Sequence, residues 1–370
     1  MITKDMECIW NYDVPINSFG WNQDDIFLDI ETTGLSFRSS HIYLIGAIFY
    51  DKSKERLILR QWFLDQPAKE KELLSSLQEF LRPGKRLIHY NGSSFDLPYL
   101  SHKFDFYQLE NPIRSCSSLD LYQLLHPFQK LFGLPSMRQK DLETLMNCHR
   151  EDTFSGGELI SVYQNYLQSG EEKLFLALIK HNQEDLTGML SLFPLLAIPK
   201  LVDGTFFVEK AVYNDEELLL FLKSDCPVVF SRTAAGSFCK LQVDNGNCML
   251  RIPSSFGVMK YFFKDYRQYF YLPEEDTAIH KSVGAYVDPE HRQKAKACNC
   301  YQKKEGVFLP QPEPVFTPCF YESYKGFPGY FQWSESLSEQ KELQHQYSVL
   351  MLQYLFKKDY PVYSFGSGDL

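Results

Sequence analysis

Little in this sequence would staple it, anchor it or spread positive charge over it. Its nine cysteines are scattered from Cys8 to Cys319, an odd number without a dense framework. That excludes a disulfide scaffold and fits reduced thiols. Cys298 and Cys300 form a C-x-C pair, but no second pair stands at zinc-site spacing, so a structural zinc module is excluded. The opening MITKDMECIWNYDVP has no basic stretch followed by an apolar run, and no run reads as long and apolar enough to span a membrane. The expected location is the cytoplasm, with no membrane partner. Basic surplus is missing as well. The formal net charge is −9, which argues against a protein that holds nucleic acid mainly by a basic surface. A carboxylate cluster that binds cations escapes that argument, because the ions reverse the sign of the site.

What is present is a globular composition, with 44% hydrophobic and 23% charged residues in 370, a length that suits two domains. Aromatics reach 15%; most are expected in cores, although they also suit base stacking. Residues 26–30, 41–50 and 56–64 read as three strands, the last two joined by the charged turn DKSKE. Leu73, Leu74, Leu77, Phe80 and Leu81 make a helical stripe within 69–81, stopped by PGK. Residues 86–90 read as a fourth strand, and a helix is expected near Ser94, with that serine as its cap. From about 117 to 196 the pattern is mostly helical. This order predicts an α/β first domain over 1–200. PLLAIPKL marks its end, and 201–370 reads as a smaller β-rich (α+β) domain. Its expected strands are TFFVEKAVY, CPVVFSR, SFCKLQVD and CMLRIP, with a DNGN hairpin turn, an irregular stretch over 305–335 and a final helix over 336–358. Basic and aromatic residues interleave over 260–271 and 291–304. A packed aromatic core with a solvated basic face is the simpler expectation there, ahead of a single-strand path.

Three short segments carry chemistry. Asp29 and Glu31, in FLDIETTGL, are two apart on an apolar strand, so both carboxylates leave the same face. Two such charges repel unless they share cations. Asp96, in HYNGSSFDLPYL, follows a strand and a glycine-containing turn and is expected in the first turn of a helix. In HNQEDL, His181 and Asp185 are four apart and share one helix face. An imidazole there suits a general base, because its ordinary pKa lies near neutrality.

FLDIETTGL, YNGSSFDLPYL and HNQEDL, in that order, resemble the three exonuclease motifs of the DEDD superfamily of 3′→5′ exonucleases. The likeness is greatest to its YprB-like branch. It extends over about residues 23–196 and includes the linkers SSLDLYQLLHPF and KDLETLMNCHREDTFSGGELI. It implies a ribonuclease H-like mixed sheet flanked by helices. It also implies two divalent ions, Mg²⁺ or Mn²⁺, held by Asp29, Glu31, Asp96 and Asp185, with Asp29 bridging them. His181 would deprotonate or orient the attacking water. Thr32, Thr33, Gly34 and Leu35 after the first motif, with Asn91 and Phe95 around the second, stand where such enzymes grip the terminal nucleotide. Turn, cap and core roles compete for the same six residues. The implied substrate is single-stranded DNA or RNA, or a frayed 3′ end. The alternatives are a non-cleaving nucleic-acid or protein-binding module and a phosphodiesterase for small nucleotides. One departure stands out: the superfamily pairs its last Asp with Y-x3-D or H-x4-D, whereas this chain has H-x3-D. Asp120 is read as a helix cap, and Arg150, Asp152 and Gly156 as linker-shaping residues.

Overall fold

The computed structural model describes residues 1–356, apart from the side chains of residues 336 and 338. The chain divides into two compact units, Met1–Pro199 and one that begins at Lys200.

The first unit is built on a six-stranded mixed sheet. Its strands are β1 (Ile2–Cys8), β2 (Asp25–Thr32), β3 (Ile42–Asp51), β4 (Arg56–Phe63), β5 (Arg86–His89) and β6 (Ser117–Asp120), in the order β1-β4-β3-β2-β5-β6. β2, β3 and β4 form the expected antiparallel meander, while β5 runs parallel to β2 and β6 parallel to β5. Two strands go beyond the sequence reading. β1 is mostly exposed and polar (ITKDMEC) and pairs with β4 at the sheet edge. β6 is the four-residue SSLD, which sequence periodicity merges with the helix after it.

Helices α1 (Glu70–Phe80), α2 (Asp96–Phe106), α3 (Leu121–Leu125), α4 (Gln129–Phe132), α5 (Gln139–Leu145), α6 (Gly156–Ser169) and α7 (Glu172–Leu192) complete the unit. The apolar stripe predicted on α1 is real: Leu73, Leu74 and Leu77 are fully buried, each worth about 1.5–3 kcal/mol of transfer free energy. Tyr163 of α6 stacks on Tyr43 of β3 with centroids 4.4 Å apart. α7 packs across β2 and β3, which sets its inward face over the strand that carries Asp29 and Glu31.

The helical run Glu172–Val202 is, by length and composition, apolar enough to cross a membrane, contrary to the sequence expectation. Its apolar window is 78% buried inside the protein, so it is accounted for as a core helix.

The second unit carries a five-stranded antiparallel sheet ordered β7-β8-β11-β10-β9, from β7 (Phe206–Tyr213), β8 (Glu217–Ser224), β9 (Ser231–Ala235), β10 (Lys240–Asp244) and β11 (Asn247–Pro253). DNGN makes the β10–β11 turn, with positive φ at Asn245 and Gly246. β8 (ELLLFLKS) is a strand absent from the expected set, because its unbroken apolar run carries no period that separates strand from helix. CPVVFSR is instead mainly loop, with β9 starting only at Ser231. A second sheet joins β12 (Ser255–Phe262), β16 (Tyr301–Gln311) and β17 (Gly329–Gln332), so 305–335 is not wholly irregular. A third joins β13 (Tyr269–Leu272), β14 (Thr277–His280) and β15 (Gln293–Lys294). The aromatic stretch 260–271 is partly buried against two small cores: Tyr261 packs on Met259, Phe308 and Phe320, and Phe263, Tyr266, Tyr269 and Tyr271 pack on Ala278, Ala295 and Cys300. The final helix spans Lys341–Phe356, and positions 357 and 358 of the expected helix lie outside the described residues.

Candidate active site

The site forms where β2, the start of α2 and the middle of α7 meet. Asp29 pairs in register with Gly46 of β3 and Glu31 with Leu44. Ile30, between the two acids, turns to the core, as strand alternation requires. Its backbone N–H donates to Asp96 Oδ1 at 3.3 Å, which ties the first residue of α2 to β2.

The turn before α2 explains that placement. Asp120 at the end of β6 accepts the backbone N–H groups of Asn91 at 2.8 Å and Ser93 at 3.2 Å, and those of Tyr122 and Gln123 at the start of α3. It is therefore the helix cap that the sequence predicted, and it also pins the turn that delivers Asp96. A side chain at Gly92 would come within 2.8 Å of the His89 ring, so glycine is needed there. Ser94 does not cap α2. Its hydroxyl donates to the Asn91 carbonyl at 2.8 Å, the left-handed Asn91 having turned that carbonyl toward it, and the helix begins at Asp96 after Phe95.

From α7, Asn182 is fully buried and donates Nδ2 to Asp29 Oδ2 at 2.7 Å, while its Oδ1 accepts from Gln61 at 2.8 Å. His181 directs Nε2 at the carboxylates, 3.2 Å from Asp185 Oδ2 and 3.5 Å from Glu31 Oε1. Its Nδ1 meets Asp152 Oδ2 at 2.6 Å. Tyr43 adds a long hydrogen bond to Glu31 at 3.5 Å.

The charges are poorly compensated. Burial, followed by the charges of Asp185, Glu31 and Asp96, holds the Asp29 carboxyl well above the usual range. Burial likewise pushes Glu31 up to about 8 and Asp96 up to about 6. Asp185 differs. Burial raises its pKa, but the hydrogen bond from His181 and the charge of Arg150 outweigh that, and it stays lowered. His181 is raised to about 9, because hydrogen bonds and charge from Asp185, Glu31 and Asp152 overcome the burial that opposes its charge.

All five sequence-predicted catalytic residues thus share one site, and all four carboxylates keep a partly exposed edge. Ligand atoms of Glu31, His181 and Asp185 lie within 4.8 Å of one another. Acidic oxygens crowded at the cost of raised pKa values are the donor set a hard divalent cation relieves, so the residues fit the implied metals.

The six proposed substrate contacts fall into two groups. Thr32 donates its hydroxyl to the Gly34 carbonyl at 2.9 Å and Thr33 Oγ1 accepts from His41 N–H at 3.0 Å, both within the turn after β2. Phe95 packs against the core. Leu35 stands 88% exposed beside this turn, and Asn91 is exposed as well.

Two residues read as linker-shaping lie in the site instead. Arg150 pairs with Asp185 and with the buried Glu143, and Asp152 holds His181. Their signal in sequence was slight: an R-x-D pair in a loop, 29 and 35 residues from its partners on α7. Asn182 also belongs to the site, and in sequence it has no signal beyond flanking His181. A separate cleft lined by Cys8, Trp10, Tyr12, Cys148 and Ser191 contains none of the site carboxylates.

The sequence of residues 26–197 matches the RNase_H superfamily. Residues 26–197 form an RNase H-like domain. The uncharacterized protein YprB of Bacillus subtilis (strain 168) is 25% identical over 185 residues, 48% of this chain and 43% of that protein. The match therefore spans less than half the length of that relative. Among solved structures, exonuclease I overlaps this chain with a TM-score of 0.30 and 14% identity, over 54% of this chain and 55% of that one. E. coli exonuclease I in complex with a dT13 oligonucleotide gives 0.30 and 16%, over 42% and 43%. The family B DNA polymerase of Pyrobaculum calidifontis gives 0.35 and 11%, over 66% and 35%. These overlaps are loose.

Proposed function

We propose that this chain is a metal-dependent nuclease, a 3′→5′ exonuclease acting on single-stranded nucleic acid or frayed 3′ ends. The observation that carries the reading is the convergence of Asp29, Glu31, Asp96 and Asp185 from β2, α2 and α7, with three of the four held above their ordinary pKa. Four carboxylates crowded without matching cations cost stability, and a function that brings cations there explains them.

Asp29, Glu31, Asp96 and Asp185 would hold two Mg²⁺ or Mn²⁺ ions. Bound there, the ions supply a lowered pKa for water and charge neutralisation at a scissile phosphodiester. The chain's own residues do the rest. Asn182 fixes the free rotation of the Asp29 carboxylate. The Ile30 N–H holds Asp96 against the strand. His181 Nε2 lies between Glu31 and Asp185, where it takes or orients the proton of an attacking water. His181 could accept that proton at Nε2 only as the neutral imidazole, the form that neutralising Glu31 and Asp185 would favour. Leu35 and Asn91, both exposed, would meet a terminal nucleotide.

End-labelled DNA and RNA strands test the reading. Stepwise loss from the 3′ end that requires Mg²⁺ or Mn²⁺ supports it. Loss from the 5′ end, internal cutting, or binding without turnover under every metal condition rejects it, the last in favour of a non-cleaving binding module.

A further inference from the structure

We infer that Asp152 is the positioning residue of His181, and that residues 150–152 form a strap that presets the catalytic face of α7. The inference rests on the nuclease reading for its functional meaning, but its geometry stands apart from it. Asp152 and His181 are 29 residues apart in sequence, yet Oδ2 and Nδ1 meet at 2.6 Å. Both side chains are withdrawn from solvent, Asp152 at 3% and His181 at 8% exposure. A carboxylate only accepts, so Nδ1 carries the proton in this pair. The ring is then fixed in orientation, with Nε2 as the one nitrogen left to face Glu31 and Asp185. This is the logic of an acid that holds a catalytic imidazole without itself changing protonation.

The strap has its own anchor. Glu184, the neighbour of Asp185 on α7, accepts the backbone N–H of Glu151 at 3.1 Å and of Asp152 at 2.9 Å. The second carboxylate oxygen of Asp152 accepts from the Phe154 N–H at 3.2 Å, which fixes the direction of Oδ2. Arg150 pairs with Asp185, the next residue along α7 after Glu184. The atypical H-x3-D spacing acquires a physical account here. At i and i+4 the imidazole would fold back onto Asp185 alone. The Asp152 bond instead holds the ring so that Nε2 lies near Glu31 as well as Asp185.

The test uses the full chain. Asp152→Ala should lower kcat by about 10- to 100-fold, with Asp152→Asn, which keeps an acceptor, falling less. KM and the Mn²⁺ dissociation constant from titration calorimetry should stay within about twofold. On a His181→Ala background, Asp152→Ala should cost nothing further. Equal losses on both backgrounds, or a fall in Mn²⁺ affinity that matches the fall in kcat, would overturn the inference. Histidine ¹⁵N NMR separates it from the nuclease reading. Recorded without metal at a pH above the raised His181 value, where the ring is neutral, wild type should show the proton on Nδ1, and a folded Asp152→Ala should move it to Nε2. A wild-type ring protonated only at Nε2 sinks the inference even if the enzyme is active. The expected spectrum in an inactive wild type sinks the nuclease reading instead.

Discussion

Asn182 Nδ2 donates to Asp29 Oδ2 at 2.7 Å, and this contact exists only because residue 46 is glycine. A Cβ on Gly46 would stand 2.1 Å from Asn182 Oδ1 and 2.4 Å from Leu186 Cδ1. The backbone of β3 leaves room for the α7 amide to reach the strand that carries Asp29.

Gly46→Ala is therefore expected to destabilise the protein by about 1–3 kcal/mol through overpacking, read as a lower Tm. It should also weaken divalent-cation binding, because the displaced Asn182 no longer holds Asp29. An unchanged Tm would mean that α7 can move away freely.

The raised acids make a signed prediction about pH. Glu31 goes from an ordinary 4.5 up to about 8 and His181 from 6.5 up to about 9. A group whose folded pKa is raised contributes stability that is complete below the unfolded value and is lost as pH rises through the folded one. Asp185, which is lowered, loses its contribution only under acid conditions. The metal-free protein should thus lose Tm from about pH 4.5 to about pH 9, and added Mn²⁺ should reduce that loss. A flat metal-free profile would contradict the charge arrangement.

Arg150 should matter to stability before any substrate is present. It pairs with Glu143, which is 1% exposed, and with Asp185. Arg150→Met leaves a buried carboxylate without its cation, a change of about 3–5 kcal/mol. Chemical denaturation measures it. Arg150→Met together with Glu143→Gln should recover part of the loss.

A second buried pair tests the frame around the site. Glu70 of α1 accepts from Lys103 at 3.0 Å, from the Ile42 N–H at 2.8 Å and from Tyr107 at 2.8 Å, joining α1, α2 and β3. Lys103→Met should cost about 3–5 kcal/mol, and Lys103→Met with Glu70→Gln less. Equal losses in the two variants would remove the ion pair from the account.

Much of the site was legible in sequence because local rules place it. A strand with carboxylates two apart puts Asp29 and Glu31 on one face, and a helix with His181 and Asp185 four apart does the same. Asp120 was legible as a cap for a similar reason. What sequence did not show depends on distant partners. Arg150 and Asp152 sit in a loop with no periodicity, and only folding onto α7 gives them roles. Asn182 points inward because Gly46 lies opposite, a pairing between residues more than a hundred positions apart. Among the strands, β1 and β6 were hidden by polar sequence and shortness, and β8 by an unbroken apolar run that suits either structure.

The most direct measurement compares wild type with Asp29→Asn on a 3′-overhanging labelled strand in Mn²⁺, with folding checked by Tm. The account predicts nucleotide release by wild type and release by the variant no faster than wild type shows without metal. Wild-type turnover in a folded Asp29→Asn protein would contradict it.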